Sequence, residues 1–147
     1  MKYVQTDVTD WGSQLALFEA STSFSPNGAI DYVIANAGIA AQDAVFSFSG
    51  SDSEPIEPSL KVVDLNLHGA LYTTKLALHY FMKQNGTEKD QAQSDTCLVL
   101  IGSSAAFLDV PKGPQYSAIK WAMRGVMHSL RRTAFYYGSR VNMISPR

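Results

Sequence analysis

The sequence predicts an α/β domain built on a parallel sheet, and three observations predict it. Short apolar runs of strand length alternate with longer segments whose apolar residues recur every three or four positions. Turn chemistry such as Ser25-Pro26-Asn27-Gly28 and Asn85-Gly86 separates them. Polar clusters at Asp7, Asn36-Ala37-Gly38, Ser103-Ser104 and Ser145-Pro146 fall where four strands would end. The order βαβαβαβ argues for parallel strands joined by right-handed crossovers. In such sheets ligands bind beyond the carboxyl ends of the strands, where these clusters lie.

Residues 2–8 (KYVQTDV) read as a short strand ending in Asp7. Asp10 can cap a helix from Trp11 to Phe24 that turns Leu15 and Phe18 inward. Residues 29–35 (AIDYVIA) form a mostly apolar run that suits a strand covered on both faces. Residues 39–57 are a polar loop, long for an αβ unit. Pro58 suits the first turn of a helix running to Gln84, with Leu60, Val63, Leu67, Leu71, Thr74, Leu78 and Phe81 on one stripe. Residues 87–95 form an exposed connection. Residues 96–101 (TCLVLI) form a second buried strand, and 105–114 form a loop. A helix is expected over 115–138, with apolar residues from Ile119 to Ala134 on one face and Gly138 as its left-handed cap. Arg140 to Ile144 form the last strand.

Composition narrows the function classes. A chain of 147 residues suits one core. The net charge of −1, with both signs interspersed, gives no sign of nucleic acid or an anionic membrane as partner. There is neither a run of about 18 apolar residues nor an apolar signal core after Met1, so no membrane span and a cytoplasmic location are expected. The single cysteine, Cys97, sits in an apolar strand as an inert thiol, and His68, His79 and His128 lack metal-ligand spacing, so no metal is expected.

Tyr116 and Lys120 open the last helix four residues apart, one turn from each other on one face. An ammonium beside a phenol favours the phenolate, and a tyrosine tuned in this way can pass protons near neutral pH. The pair alone carries little weight. With seven tyrosines and seven lysines, composition gives such a spacing about one time in three.

Its company is more specific. Asp7-Val8, Asn36-Ala37-Gly38, Asn66 within DLNLHG, Ser103 within LVLIGSS, Tyr116-Ser117-Ala118-Ile119-Lys120, and Val141-Asn142 with Pro146 follow in order across the whole chain. Together they resemble the short-chain dehydrogenase/reductase family. The wording QYSAIKWAMRG is most similar to fungal members of the hydroxyprostaglandin and hydroxyaverantin dehydrogenase type. The resemblance implies a Rossmann fold, a doubly wound parallel sheet of which this chain holds the third to sixth strands. It implies an NAD(P)-dependent oxidoreductase that interconverts a secondary alcohol and a ketone, with NAD or NADP as cofactor. Tyr116 would be the general acid/base. Lys120 would bind the nicotinamide ribose, Ser103 the substrate oxygen, and Asn66 would mark a water-relay position. Asp7 and Val8 would meet the adenine. Asn36, Ala37 and Gly38 would line the cofactor cleft, and Pro146 would begin the loop over the nicotinamide. The helices at 58–84 and 115–137 form the subunit interface in many members, which implies a homodimer or homotetramer.

Each residue also has a plain structural reading. Asp7 and Ser103 fit polar strand ends, Asn36 and Gly38 an ordinary turn, and Asn66 a solvated helix position. The chain also departs from the family pattern. It has no Gly-x-x-x-Gly-x-Gly, Arg147 stands where many members have glycine, and no substrate region follows. The sequence therefore reads as one partial dinucleotide-binding domain over 1–147, lacking the glycine-rich motif and the C-terminal substrate region. In the strand order 3-2-1-4-5-6, the first strand here would stand two places from the second, leaving an apolar open edge. Weak dinucleotide binding and poor solubility are expected. The alternative function is a catalytically inactive remnant or interaction protein that pairs this edge with a partner.

Overall fold

A computed structural model describes residues 1–88 and 93–147. Residues 89–92 of the expected connection lie outside them. The described residues form a three-stranded parallel sheet in the order β1 (Tyr32–Ala35), β2 (Thr96–Ile101), β3 (Ser139–Ile144). The α/β class and the parallel, sequential strand order are as predicted.

Strand alternation sorts the sheet into two faces. The register pairs Val33 with Leu98, Leu98 with Val141, Ala35 with Leu100, and Leu100 with Met143. These residues join Phe18, Leu76, Phe81, Ile119 and Met123 in one apolar core under the helices. Each fully buried Leu or Phe contributes about 1.5–3 kcal/mol of transfer free energy. On the opposite face Tyr32, Ile34 and Ile144 are exposed. The expectation that residues 29–35 are covered on both faces is therefore corrected. An apolar run specifies a strand, but it does not specify what lies across each face.

Residues 2–8 are not a strand, which corrects a second expectation. A strand exists through its ladder partner, and this stretch bonds to a helix instead. Asp7 N–H donates to Ser13 Oγ at 2.9 Å, and Val8 C=O accepts from Gln14 Nε2 at 2.6 Å. That helix, α1 (Trp11–Phe24), has the predicted bounds. Asp10 caps it by accepting from Ser13 N–H, and Phe18 is buried.

The segment predicted as one helix over 58–84 has three parts. A single turn, α2 (Lys61–Val63), starts three residues after Pro58. A π-helical stretch follows at Asp64–His68, closed by Gly69 N–H donating to Asp64 C=O. Then α3 (Gly69–Asn85) runs to Gly86, whose φ of 75° suits glycine. The π-turn holds one extra residue and shifts the phase of the apolar stripe. Val62, Asn66, Gly69, Thr74, Ala77 and Phe81 are buried, whereas the expected Leu60 and Leu71 are exposed.

The helix α4 (Pro114–Leu130) also ends early. Leu130 C=O accepts from Thr133 N–H at 3.0 Å and Thr133 Oγ1 at 3.2 Å, which tightens the last turn. A 3₁₀ turn at Ala134–Tyr137 then leads to Gly138 at φ 67°, so the predicted glycine caps this turn rather than the long helix.

Candidate active site

The carboxyl ends of β2 and β3 press together. A Cβ on Gly102 would meet the side-chain atoms Met143 Sδ and Ser145 Oγ at 2.8 Å, so these side chains would have to shift for any larger residue. Gly102 N–H donates to Ile144 C=O at 2.7 Å, and Ser104 N–H donates to Pro146 C=O at 2.8 Å. Pro146 is thereby held beside Ser103. Ser103 is extended and half-buried, and its Oγ accepts from Ala105 N–H at 3.2 Å at the start of a 3₁₀ turn.

The first turns of α4 pack against that turn. Lys120 Nζ donates to Ile101 C=O at 2.9 Å and lies 5.6 Å from the centre of the Tyr116 ring. The carbonyl of a strand end thus fixes the ammonium, two residues before Ser103 and one helical turn from Tyr116. One level further along α4, Arg124 donates to Ala106 C=O at 3.3 Å and lies between the rings of Phe107 (4.4 Å) and Trp121 (5.3 Å). Phe107, Leu108 and Val110 are exposed on the loop that follows Ser103.

A second cluster gathers the other predicted residues. Asp7, Val8, Ala37 and Gly38 line an open groove of about 540 Å³ with Ile39 and Leu65. Asn36 and Ala37 also line a neighbouring groove of about 380 Å³ along β1. Asp7 is exposed. Its Oδ1 accepts from Thr9 N–H at 2.9 Å and Thr9 Oγ1 at 2.8 Å, bonds that hold its carboxyl below the ordinary carboxylate range. Gly69, where a Cβ would meet Val8 Cγ2 and Val8 C=O at 3.0 Å, lets α3 approach this cluster.

Asn66 is buried in the π-turn, not solvated. Its Oδ1 accepts from Ile39 N–H and its Nδ2 donates to Ile39 C=O, both at 2.8 Å. The side-chain amide is therefore committed to holding the corner after Gly38. The structure joins Lys120 to the end of β2 and to Tyr116, and joins the segment at Ser103-Ser104 to Pro146 after β3. Asp7, Val8, Ala37 and Gly38 meet in the groove, with Asn36 on its flank and Asn66 behind.

Two side chains that sequence reasoning passed over join the site's framework. Asp43 Oδ2 accepts from Gln115 N–H at 2.7 Å, and buried Gln14 Nε2 links Val8 C=O to Gly69 C=O. The Asp43–Gln115 and Gln14–Gly69 bonds span 72 and 55 residues, and no local pattern signals a bond of that length. Among the described residues no group of acidic, histidine or cysteine side chains could hold a metal, and no helix is long and apolar enough to cross a membrane.

A family model described as short chain dehydrogenase matches residues 1–147. The chain is 36% identical over 155 residues to 5'-hydroxyaverantin dehydrogenase stcG of Emericella nidulans, covering 98% of this chain and 50% of that protein. It is 32% identical to NADP-dependent dehydrogenase M3 of Phoma sp., covering 99% of this chain and 44% of the relative. The chain thus spans about half the length of the curated relatives it matches. Its backbone superposes on a short chain dehydrogenase from Mycobacterium smegmatis with a TM-score of 0.77 at 22% identity, covering 97% of this chain and 53% of that one.

Proposed function

We propose a function from one premise: the chain belongs to the short chain dehydrogenase family. Its residues form the catalytic half of an NAD(P)-dependent oxidoreductase that interconverts a secondary alcohol and a ketone. The observation that carries this reading is the Lys120 ammonium, bonded to Ile101 C=O and held 5.6 Å from the Tyr116 ring beside the strand end leading to Ser103. Tyr116 gives a proton to the carbonyl oxygen in reduction and takes one from the alcohol in oxidation. Ser103 donates to the same oxygen and orients it.

The residues present fit the adenine end of a dinucleotide. The groove along Asp7, Val8, Ala37 and Gly38 is open, and Asp7 Oδ2 is left to accept from an amino group. Asn36 and Ala37 would line the cleft, and Pro146 would begin the segment over the nicotinamide. When bound, that ring supplies or accepts the hydride. Asn66 keeps the Gly38–Ile39 corner in position. The relatives named as NADP-dependent favour NADP over NAD. The exposed Phe107, Leu108 and Val110 after Ser103 favour a lipophilic substrate. By family analogy the native protein works in the cytoplasm as a homodimer or homotetramer.

The test is Tyr116→Phe in the native protein, followed by nicotinamide absorbance with lipophilic secondary alcohols. Turnover should fall by about 10²–10⁴-fold while dinucleotide binding stays unchanged. Unchanged turnover overturns the assignment. A second reading, an inactive chain that pairs a strand edge with a partner, is favoured by the place of β1 at the end of the sheet order, with no strand beyond it among the described residues. A stoichiometric complex lost on Ile34→Lys, without redox activity in any form, supports it.

A further inference from the structure

Helix α4 begins without a cap of its own. Gly113 makes no side-chain cap bond, and Pro114 follows in the first turn. The missing acceptor comes from the long loop, where the Asp43 carboxylate accepts from Gln115 N–H at 2.7 Å. Gln115 itself is buried and reaches back, its Nε2 donating to Ser59 C=O at 3.2 Å. One residue thus ties both the beginning and the end of the 39–60 loop to the first turn of α4. Val45, two residues beyond Asp43, lines a cleft against Pro114, Gln115 and Ala118. The next residue along the helix is Tyr116.

We propose that Asp43 is a positioning residue for Tyr116: its carboxylate on the amide end of α4 fixes the first turn and thereby the direction of the phenol. The proposal rests on the reading of Tyr116 as the proton-transferring group. A carboxylate suits this place because the first amides of a helix point outward with partial positive charge, and a charge-assisted bond is stronger than a neutral one. The loop supplies the cap, so the order of the loop and the setting of Tyr116 are coupled. Asp43 touches no reacting atom in this scheme: its Oδ2 accepts from Gln115 N–H, and its Oδ1 accepts from Val45 N–H at 3.0 Å within the loop.

Amide exchange at Gln115 and the Tyr116 ring ¹³C resonance, both measured by NMR on the 147-residue chain, test this without turnover. Asp43→Ala should speed exchange at Gln115 by about tenfold or more and displace the Tyr116 resonance. Asp43→Asn keeps an acceptor oxygen and should lie between Asp43→Ala and the unaltered chain. It carries the test if Asp43→Ala does not fold. Asp10→Ala, which removes the equivalent cap from α1, should leave the Tyr116 resonance unmoved. A Tyr116 resonance unchanged in both Asp43 variants overturns the proposal, as does an equal displacement by Asp10→Ala. An intact coupling in a chain whose Tyr116→Phe turnover is normal would sink the proton-transfer role of Tyr116 and leave the positioning of its side chain by Asp43 standing.

Discussion

The two faces of the sheet are made from similar residues and have opposite fates. On the helix side Leu98 and Leu100 are 0% exposed. On the other side, in neighbouring register positions, Tyr32 is 64% and Ile34 61% exposed. On that side of the central strand Cys97 is buried, shielded where Asn142 Nδ2 donates to its Sγ at 3.4 Å, and Val99 and Ile101 are half-buried. Hydrophobicity therefore marks which residues can form the core, and the helices decide which ones do. The residues that hold the chain together and those open to a further layer are separated by a single step along a strand.

Substitutions can break or sharpen this contrast. Phe81→Ala, at a site with no exposure, should cost about 3–5 kcal/mol in urea unfolding. Leu98→Ala should cost about 2–5 kcal/mol by the same measurement, because a central strand covered by α3 relaxes little around a cavity. Asp10→Ala, away from both faces, should remove about 1 kcal/mol by leaving the first turn of α1 without its acceptor. Ile34→Lys on the open face should change stability by no more than about 0.5 kcal/mol while raising solubility, read by light scattering. A loss as large as that of Leu98→Ala would mean the open face is covered in solution.

The smallest expected effect is a pH dependence beside the open face. Arg140 Nε and Nη2 each donate to the Asp95 carboxylate at 2.7 Å, which holds that carboxyl below its ordinary value. A lowered folded value means the pair's stabilisation is present above the unfolded value of about 3.9 and is lost as pH falls through the folded one. Asp95→Asn should therefore lower thermal stability slightly in the neutral range, by the small amount an exposed pair contributes, and converge with the unaltered chain as pH falls below about 4.

What was legible in the sequence was local. Asp10, the helix bounds 11–24, the run TCLVLI and the Asn85-Gly86 stop all depend on neighbours within a few residues, and the structure has them as read. Residues 2–8 had the composition of a strand, but strand pairing is a long-range fact, and the stretch bonds to α1 instead. The spacing of Tyr116 and Lys120 on one helix face was visible because helical geometry sets it. The bond from Lys120 to Ile101, the hold of Asn66 on Ile39 and that of Asp43 on Gln115 were not, because each joins segments at least 19 residues apart.

The π-turn at Asp64–His68 behaves like a one-residue insertion absorbed without a loop. Each helical residue turns the chain by about 100°, so an extra one re-aims everything upstream of it relative to everything downstream. The stretch holding Asn66 and the stretch holding Phe81 are in effect two tools on one shaft, each set to its own angle. Removing a single residue there should leave Phe81 seated against the sheet and swing the Asn66 amide away from Ile39. A length change of one would then release the corner after Gly38 while the core stayed whole.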